Sequence, residues 1–219
     1  MRTLGSPHDG SLNRVHMARA DSHLYETKVS GRQILKGSFL QAMRDTVLLP
    51  DGAHATREYV VHPGAVMVIA LITAPSGQLQ VVLERQFRYP LGRVIVEFPA
   101  GKRDPAEDLW LCARRELREE TGYSAAEWAH AGVLNPVPAY CTEFIDIWFA
   151  RDLTSGPRQL DPGEFLDVFT ATPAELVQWC FDGTVTDGKT QVGALWLQNV
   201  LSGAWALDWR AAPPADAAG

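Results

Sequence analysis

Between His23 and His62 apolar and polar residues alternate at the period of half-buried strands: LYETKVS, then SFLQAMRDTVLL, then ATREYVV after a Pro50-Asp51-Gly52 turn. This predicts a small antiparallel sheet over residues 23–62, a meander too slight to stand alone, which leans on the rest of the chain or on a second copy of it. His62-Pro63-Gly64 marks a boundary, and AVMVIALI then runs almost without a polar break, as a strand buried on both faces does. Pro75-Ser76-Gly77 turns the chain and LQVVLERQFRY returns as its hairpin partner, with VIVEFPAGK as the next strand.

The period then changes. Leu109, Ala113 and Leu117, flanked by Trp110 and Cys112, form an apolar stripe at helical spacing. Asp104 stands at the expected N-cap, Pro105 at the first helical position, Glu107 where a capping box needs it, and Gly122 where a left-handed stop ends the helix. Val133-Leu134, EFIDIWFARDL and EFLDVFTAT continue the sheet, separated by loops over 135–142 and 157–163. Thr172-Pro173-Ala174-Glu175 opens a helix stopped by Gly183, and Asp187 caps a last helix with Val192, Leu195, Trp196 and Val200 on one face. Strands interleaved with helices predict the α/β class: an α/β/α sandwich around a mixed sheet, preceded by the small antiparallel sheet.

Residues 1–22 are polar and unpatterned and read as a mobile tail, and residues 211–219 as a second one; the main domain spans 63–210. With 219 residues the chain accommodates one ordinary domain and an appendage. The net charge of −6 argues against a nucleic-acid partner, though not against one phosphate-bearing small molecule held by a few arginines. Cys112, Cys141 and Cys180 show no metal-site spacing and read as reduced cysteines of a cytoplasmic protein, Cys141 being a packing residue. The longest apolar run, Gly64 to Ile72, is too short to span a bilayer, so no membrane partner is expected.

The candidate chemistry lies in GKRDPAEDLWLCARRELREETGY, residues 101–123. Glu116 and Glu120 fall one turn apart on one helix face, with Glu119 at its edge. Acids so close repel one another unless a cation sits between them, and their hard oxygens suit Mg²⁺ or Mn²⁺. The bland alternative is a solvated helix end with intrahelical ion pairs. The spacing of Gly101, Glu107, Arg115, Glu116, Leu117, Glu119, Glu120, Gly122 and Tyr123 decides between them, because it resembles the Nudix box at every specified position.

That resemblance implies an α/β/α sandwich and hydrolysis of a nucleoside diphosphate linked to a second group. It carries over Glu116, Glu119 and Glu120 as metal-associated, with the Ala100 carbonyl as a further ligand, and Arg115 paired with Glu107 to brace the loop. Outside the box, ATREYVVHPGAV, RQFRYP, EFPAGK, DPGEFLDV, DGKT and Pro138 are similar to the ADP-ribose pyrophosphatase branch of the family. The implied reaction is Mg²⁺-dependent cleavage of ADP-ribose to AMP and ribose 5-phosphate. Another nucleoside diphosphate sugar, such as a GDP-sugar, or a dinucleotide is the near alternative, and a non-catalytic ADP-ribose sensor the remote one.

By the same likeness Arg57 and Arg88 contact substrate and Glu143 binds ribose. Glu97 either points into the pocket or pairs with an arginine. Glu164 is the mobile-loop glutamate, a general base or late metal ligand, with Asp161 as its rival. Adenine would stack on Tyr25 or Phe39, and the N-terminal sheet, exchanged between subunits in such enzymes, implies a homodimer.

Overall fold

The computed structural model describes residues 21–212, which form two compact units. The smaller comprises the described residues up to 61 and residues 139–141; the larger comprises 62–138 and the chain from 142 onward. The expected tails lie outside the described residues as far as residue 20 and beyond residue 212.

In the smaller unit β1 (Thr27–Lys36), β2 (Gln41–Leu48) and β3 (His54–Val61) pair antiparallel in that order. The β2–β3 turn is the expected one: the Gly52 N–H donates to the Leu49 carbonyl at 3.0 Å, and Gly52 sits at φ 87°. β1 differs from expectation. It begins after a 3₁₀ turn at Ser22–Leu24 and continues to Lys36, past the Ser30 at which the alternation fades. Every residue of β1 is exposed, so no buried face imposes a period on its second half. Asp45, only 5% exposed, accepts from Lys28 Nζ at 2.9 Å and from the Tyr59 hydroxyl at 2.9 Å. The Tyr140 carbonyl accepts the Val60 N–H at 2.9 Å, which ties residues 139–141 to β3.

The larger unit is built on β4 (Ala65–Thr73), β5 (Leu79–Arg88), β6 (Arg93–Glu97), β7 (Ala100–Lys102), β8 (Tyr123–Leu134), β9 (Ile145–Ser155), β10 (Leu166–Ala171) and β11 (Arg210–Ala211). The sheet order is β10-β5-β4-β9-β8-β11, with β6 paired to β5 and β7 to β4. β4 and β9 run parallel and the remaining pairs antiparallel, so the sheet is mixed.

The unbroken apolar run of β4 has a direct cause. Val66, Val68 and Ala70 pack with Cys112, Ala113 and Leu117 of α1 (Leu109–Thr121), while Met67 and Ile69 face the other way. There they meet Leu176 of α2 (Pro173–Asp182) and Leu197 of α3 (Gly188–Leu201). One helix layer therefore covers each face, and a strand in the middle has no face left for water. A fully buried leucine such as Leu117 contributes about 1.5–3 kcal/mol by leaving water.

Four expectations are corrected. VIVEFPAGK forms two strands rather than one, broken at Phe98-Pro99, so that β6 pairs with β5 and β7 crosses to β4. β8 begins at Tyr123 rather than near Val133, and its inward residues Trp128 and Ala129 are buried. α3 buries Thr190, Gly193, Ala194 and Leu197; Trp196 and Val200 pack at the core's edge, but Leu195 is 54% exposed. β11 reaches Ala211, past the boundary expected at 210, because it pairs with Trp128 and Glu127 of β8.

Candidate active site

α1 begins later than its sequence suggests. Asp108, not Asp104, is the N-cap, its Oδ1 accepting from the Trp110 N–H at 2.9 Å and the Leu111 N–H at 3.2 Å. Asp104 to Glu107 form a separate turn in which Glu107 Oε2 accepts the Asp104 N–H at 3.0 Å and Ala106 takes a left-handed φ of 62°. The contact expected of Glu107 exists, but it closes this turn instead of opening the helix. At the other end Gly122 adopts φ 76° and donates to the Arg118 carbonyl, the expected stop.

Arg115 is the hub of the box. Its Nε and Nη2 donate to the two carboxylate oxygens of Glu107, each at 2.8 Å, and Nη2 also reaches the Lys102 carbonyl at 3.1 Å. Its Nη1 donates to Glu116 Oε1 at 2.8 Å and to Glu119 Oε2 at 3.0 Å. Helix, preceding turn and strand β7 are thus clamped by one planar fork. Glu107, with Arg115 on both oxygens, is drawn down from 4.5 to about 2.

The paired acids face inward. Glu116 is 9% and Glu120 3% exposed. The Ala100 N–H donates to Glu120 Oε2 at 3.0 Å, which anchors the helix to the Pro99-Ala100-Gly101 bend. The carboxylate of Glu116 lies on Gly101, where any side chain would collide with it. Burial pushes Glu116 up to about 7, against the pull of Arg115, with Glu119 and Glu164 adding repulsion. Glu120 is held well above the ordinary range by burial and by Glu84, Glu116 and Glu164 around it.

Glu84 was not anticipated from the sequence. It stands on β5 directly opposite Glu97 of β6, has no exposed surface, and neither of its carboxylate oxygens has a hydrogen-bond partner. Burial first, and Glu97 second, push it up to about 8; Lys189 and Arg88 partly offset them. A signal for it existed: Val82, two residues earlier, faces α1, so the alternation of VVLER puts a carboxylate on the same inward face. Lys189 was also passed over as part of DGKT. It follows the α3 cap Asp187 and donates to both Glu97 and Asp187.

Of the remaining candidates, Arg88 is committed to Glu97, Nε to Oε1 at 2.7 Å and Nη2 to Oε2 at 3.0 Å, so Glu97 takes the pairing alternative. Glu164 sits at the end of a turn whose N–H donates to the Asp161 carbonyl, and Gln86 Nε2 donates to its Oε1 at 3.3 Å. Asp161 is exposed. Glu143 lies 3.8 Å from His62 Nε2. Arg57 belongs to the smaller unit, where its Nε donates to Glu26 Oε2 at 2.9 Å. Tyr25 and Phe39 of that unit are 62% and 46% exposed.

Among the described residues no three histidine, cysteine or acidic side chains already form a closed cage for an ion. The donor set nonetheless fits a hard divalent cation. Glu84 is buried with both oxygens orphaned, and Glu116 and Glu120 resist ionisation beside it. A cation among such oxygens offsets the burial, and the mutual repulsion, that hold their protons on. Arg115 supplies the only guanidinium contact to Glu116 and Glu119 among the described residues.

Comparison with known proteins matches residues 62–190 to the NUDIX domain and residues 26–60 to the nucleoside diphosphate sugar hydrolase N-terminal domain. The chain is 34% identical to an ADP-ribose pyrophosphatase of Bacillus subtilis over 177 residues, covering 80% of this chain and 94% of that protein. It is 35% identical to a methanol dehydrogenase activator of Bacillus methanolicus over 178 residues, with the same coverage. A crystal structure of an ADP compounds hydrolase superposes with a TM-score of 0.74 at 20% identity, covering 84% of this chain and 97% of that one.

Proposed function

This chain belongs to the Nudix hydrolase family, and from that premise we propose that it hydrolyses the diphosphate bond of ADP-ribose to AMP and ribose 5-phosphate. One observation carries the reading: Glu116 and Glu120, a helical turn apart and buried, meet the Gly101 bend beside an orphaned Glu84. The choice of substrate is supported by the relatives named for ADP-ribose and by the N-terminal match to nucleoside diphosphate sugar hydrolases.

Mg²⁺, or Mn²⁺ in its place, would be held by Glu116, Glu119, Glu120, Glu164 and the Ala100 carbonyl. When bound it supplies positive charge that screens the phosphoryl oxygens. The attacking water oxygen bonds to one phosphorus as the bridging P–O bond breaks. Glu164, lightly held by Gln86, takes the water's proton, with Asp161 as the second choice. Arg115 and Glu107 saturate each other and act by holding the box in register. Arg88 and Arg57 clamp diphosphate or ribose, Glu143 takes a ribose hydroxyl, and Glu97 orients Arg88 through its two hydrogen bonds.

We also place the working protein as a cytoplasmic homodimer joined through the N-terminal sheet. β1 exposes Val29, Ile34 and Leu35 along its length, which supports pairing with another copy, and all three cysteines are free. Among the described residues no helix is long and apolar enough to cross a membrane. Sedimentation of the full chain tests the dimer: a monomer at micromolar concentration refutes it.

The activity test is product analysis with ADP-ribose and Mg²⁺. AMP and ribose 5-phosphate are expected, and a chelator should abolish them. Glu120→Gln should retain the fold but lose about 100-fold or more in turnover, since it removes charge while keeping shape. Far faster turnover of a GDP-sugar would overturn the substrate assignment, and ADP-ribose binding without turnover would overturn the enzyme assignment.

A further inference from the structure

A cavity of about 730 Å³ lies beside the start of α1 over β9, β8 and β11, whereas the acids of the candidate active site gather around β5, β6 and β7. Three indoles, those of Trp110, Trp128 and Trp148, form much of its wall. Asp146 also lines it, and this carboxylate is only 4% exposed. Its Oδ2 meets His130 Nε2 at 3.0 Å, but its Oδ1 has no hydrogen-bond partner. Nor has the Trp148 indole N–H, although the His130 ring rests on Trp148 with centroids 5.0 Å apart. A buried acceptor and a buried donor are thus left unmet, each keeping the desolvation penalty that a partner would offset. Nothing in the proposed hydrolysis uses either.

The charges of the cavity restrict what fills it. Arg210 is the one guanidinium in the lining, and Asp208 already takes it at 2.7 Å. Asp108 is committed to capping α1. Asp146 is the buried carboxylate of the lining, with Oδ1 unpartnered, and it shares the lining with the three indoles. A phosphate-bearing ligand would meet three carboxylates against one paired arginine. A cation gains twice, from the carboxylate and from the negative faces of the rings. One of these indoles already carries a cation over its ring: the Arg114 guanidinium stands 4.8 Å from the Trp110 ring centroid.

We propose that this cavity binds a small hydroxyl-bearing organic ammonium ion. Its charge sits against Asp146 and the three indoles, and its hydroxyl oxygen accepts from the Trp148 N–H. The volume suits a small molecule with room for ordered water. The site is separate from the phosphate chemistry and does not depend on which nucleotide is hydrolysed.

Choline is a direct probe, and dimethylbutanol, its neutral carbon isostere, is the control. Titration calorimetry on the full chain should show one saturable choline site, with the isostere at least about tenfold weaker because it lacks the charge. Saturating AMP should leave choline affinity unchanged. Asp146→Asn should weaken choline about tenfold or more and leave ADP-ribose turnover as it was. Trp148→Phe keeps an aromatic ring at the wall, removes the N–H and should weaken choline several-fold, so it decides the matter where Asp146→Asn does not fold. No saturable binding at millimolar choline, equal binding of the isostere, competition by AMP, or unchanged affinity in a folded variant would each overturn the proposal.

Discussion

The carboxylate of Glu116 lies so close over Gly101 that a Cβ built at residue 101 would stand 1.9 Å from its carboxyl carbon. The glycine of the box is therefore the floor on which a candidate metal ligand rests. What it contacts is the far end of a flexible side chain, so a methyl group there displaces the acid and not the backbone.

Gly101→Ala should accordingly separate function from stability. The free energy of unfolding should fall by no more than about 1 kcal/mol, the centre of the range for single substitutions. Turnover should fall about 100-fold, as expected for a reacting group misplaced by an ångström, and Mn²⁺ should bind more weakly in spin-resonance titration. Wild-type turnover in this variant would mean that Glu116 is free to work from elsewhere.

Glu107 yields a prediction in acid. Its carboxyl is lowered from 4.5 to about 2 by Arg115, so the folded chain holds the proton less readily than the unfolded one. The stabilisation is complete above pH 4.5 and is lost as the pH falls toward 2. Urea unfolding should show Glu107→Gln less stable than wild type at neutral pH, with the gap closing across that window. A gap that persists down to pH 2 would place its origin in packing instead.

Glu84 behaves with the opposite sign. Raised from 4.5 to about 8, it keeps its proton in the folded chain while the unfolded chain releases it, so its presence costs stability increasingly from pH 4.5 to about 8 and evenly above. In the presence of a chelator, Glu84→Gln should gain on wild type through that interval and then level off. Denaturant midpoints measured across the range check this; a difference that does not vary with pH contradicts it.

The start of α2 carries a capping box in which Thr172 Oγ1 accepts the Glu175 N–H at 3.1 Å and Glu175 Oε2 accepts the Thr172 N–H at 2.8 Å. Thr172→Ala should cost about 1 kcal/mol in equilibrium unfolding, with turnover unchanged. Among the described residues the Thr172 and Glu175 side chains hydrogen-bond to each other's ends and not to the candidate site residues, so a large loss of activity would point to a coupling that these bonds do not suggest.

Much of the site was legible because its spacing is local. Glu116 and Glu120 share a helix face whatever the rest of the chain does, and Arg115 lies within reach of Glu119 for the same reason. Glu107 was placed correctly as a partner but assigned to the wrong turn: Asp104-Pro105 and Asp108 both look like helix starts, and the left-handed Ala106 between them leaves no local trace. Glu84 and Lys189 lie about a hundred residues apart in the chain and belong to the site only through the sheet and the last helix.

By itself the sequence determined the elements whose cause is periodic: the doubly buried β4, the acidic face of α1, the capped α2 and the glycine stops. Each follows from side-chain geometry within a few neighbouring residues. Tertiary structure decided which strands meet. The break at Phe98-Pro99 hands the chain from β5 to β4, setting Glu97 opposite Glu84 and bringing the Ala100 N–H to Glu120. Pairings of that kind depend on loop closure and on the shared burial of distant segments, and no local period records them.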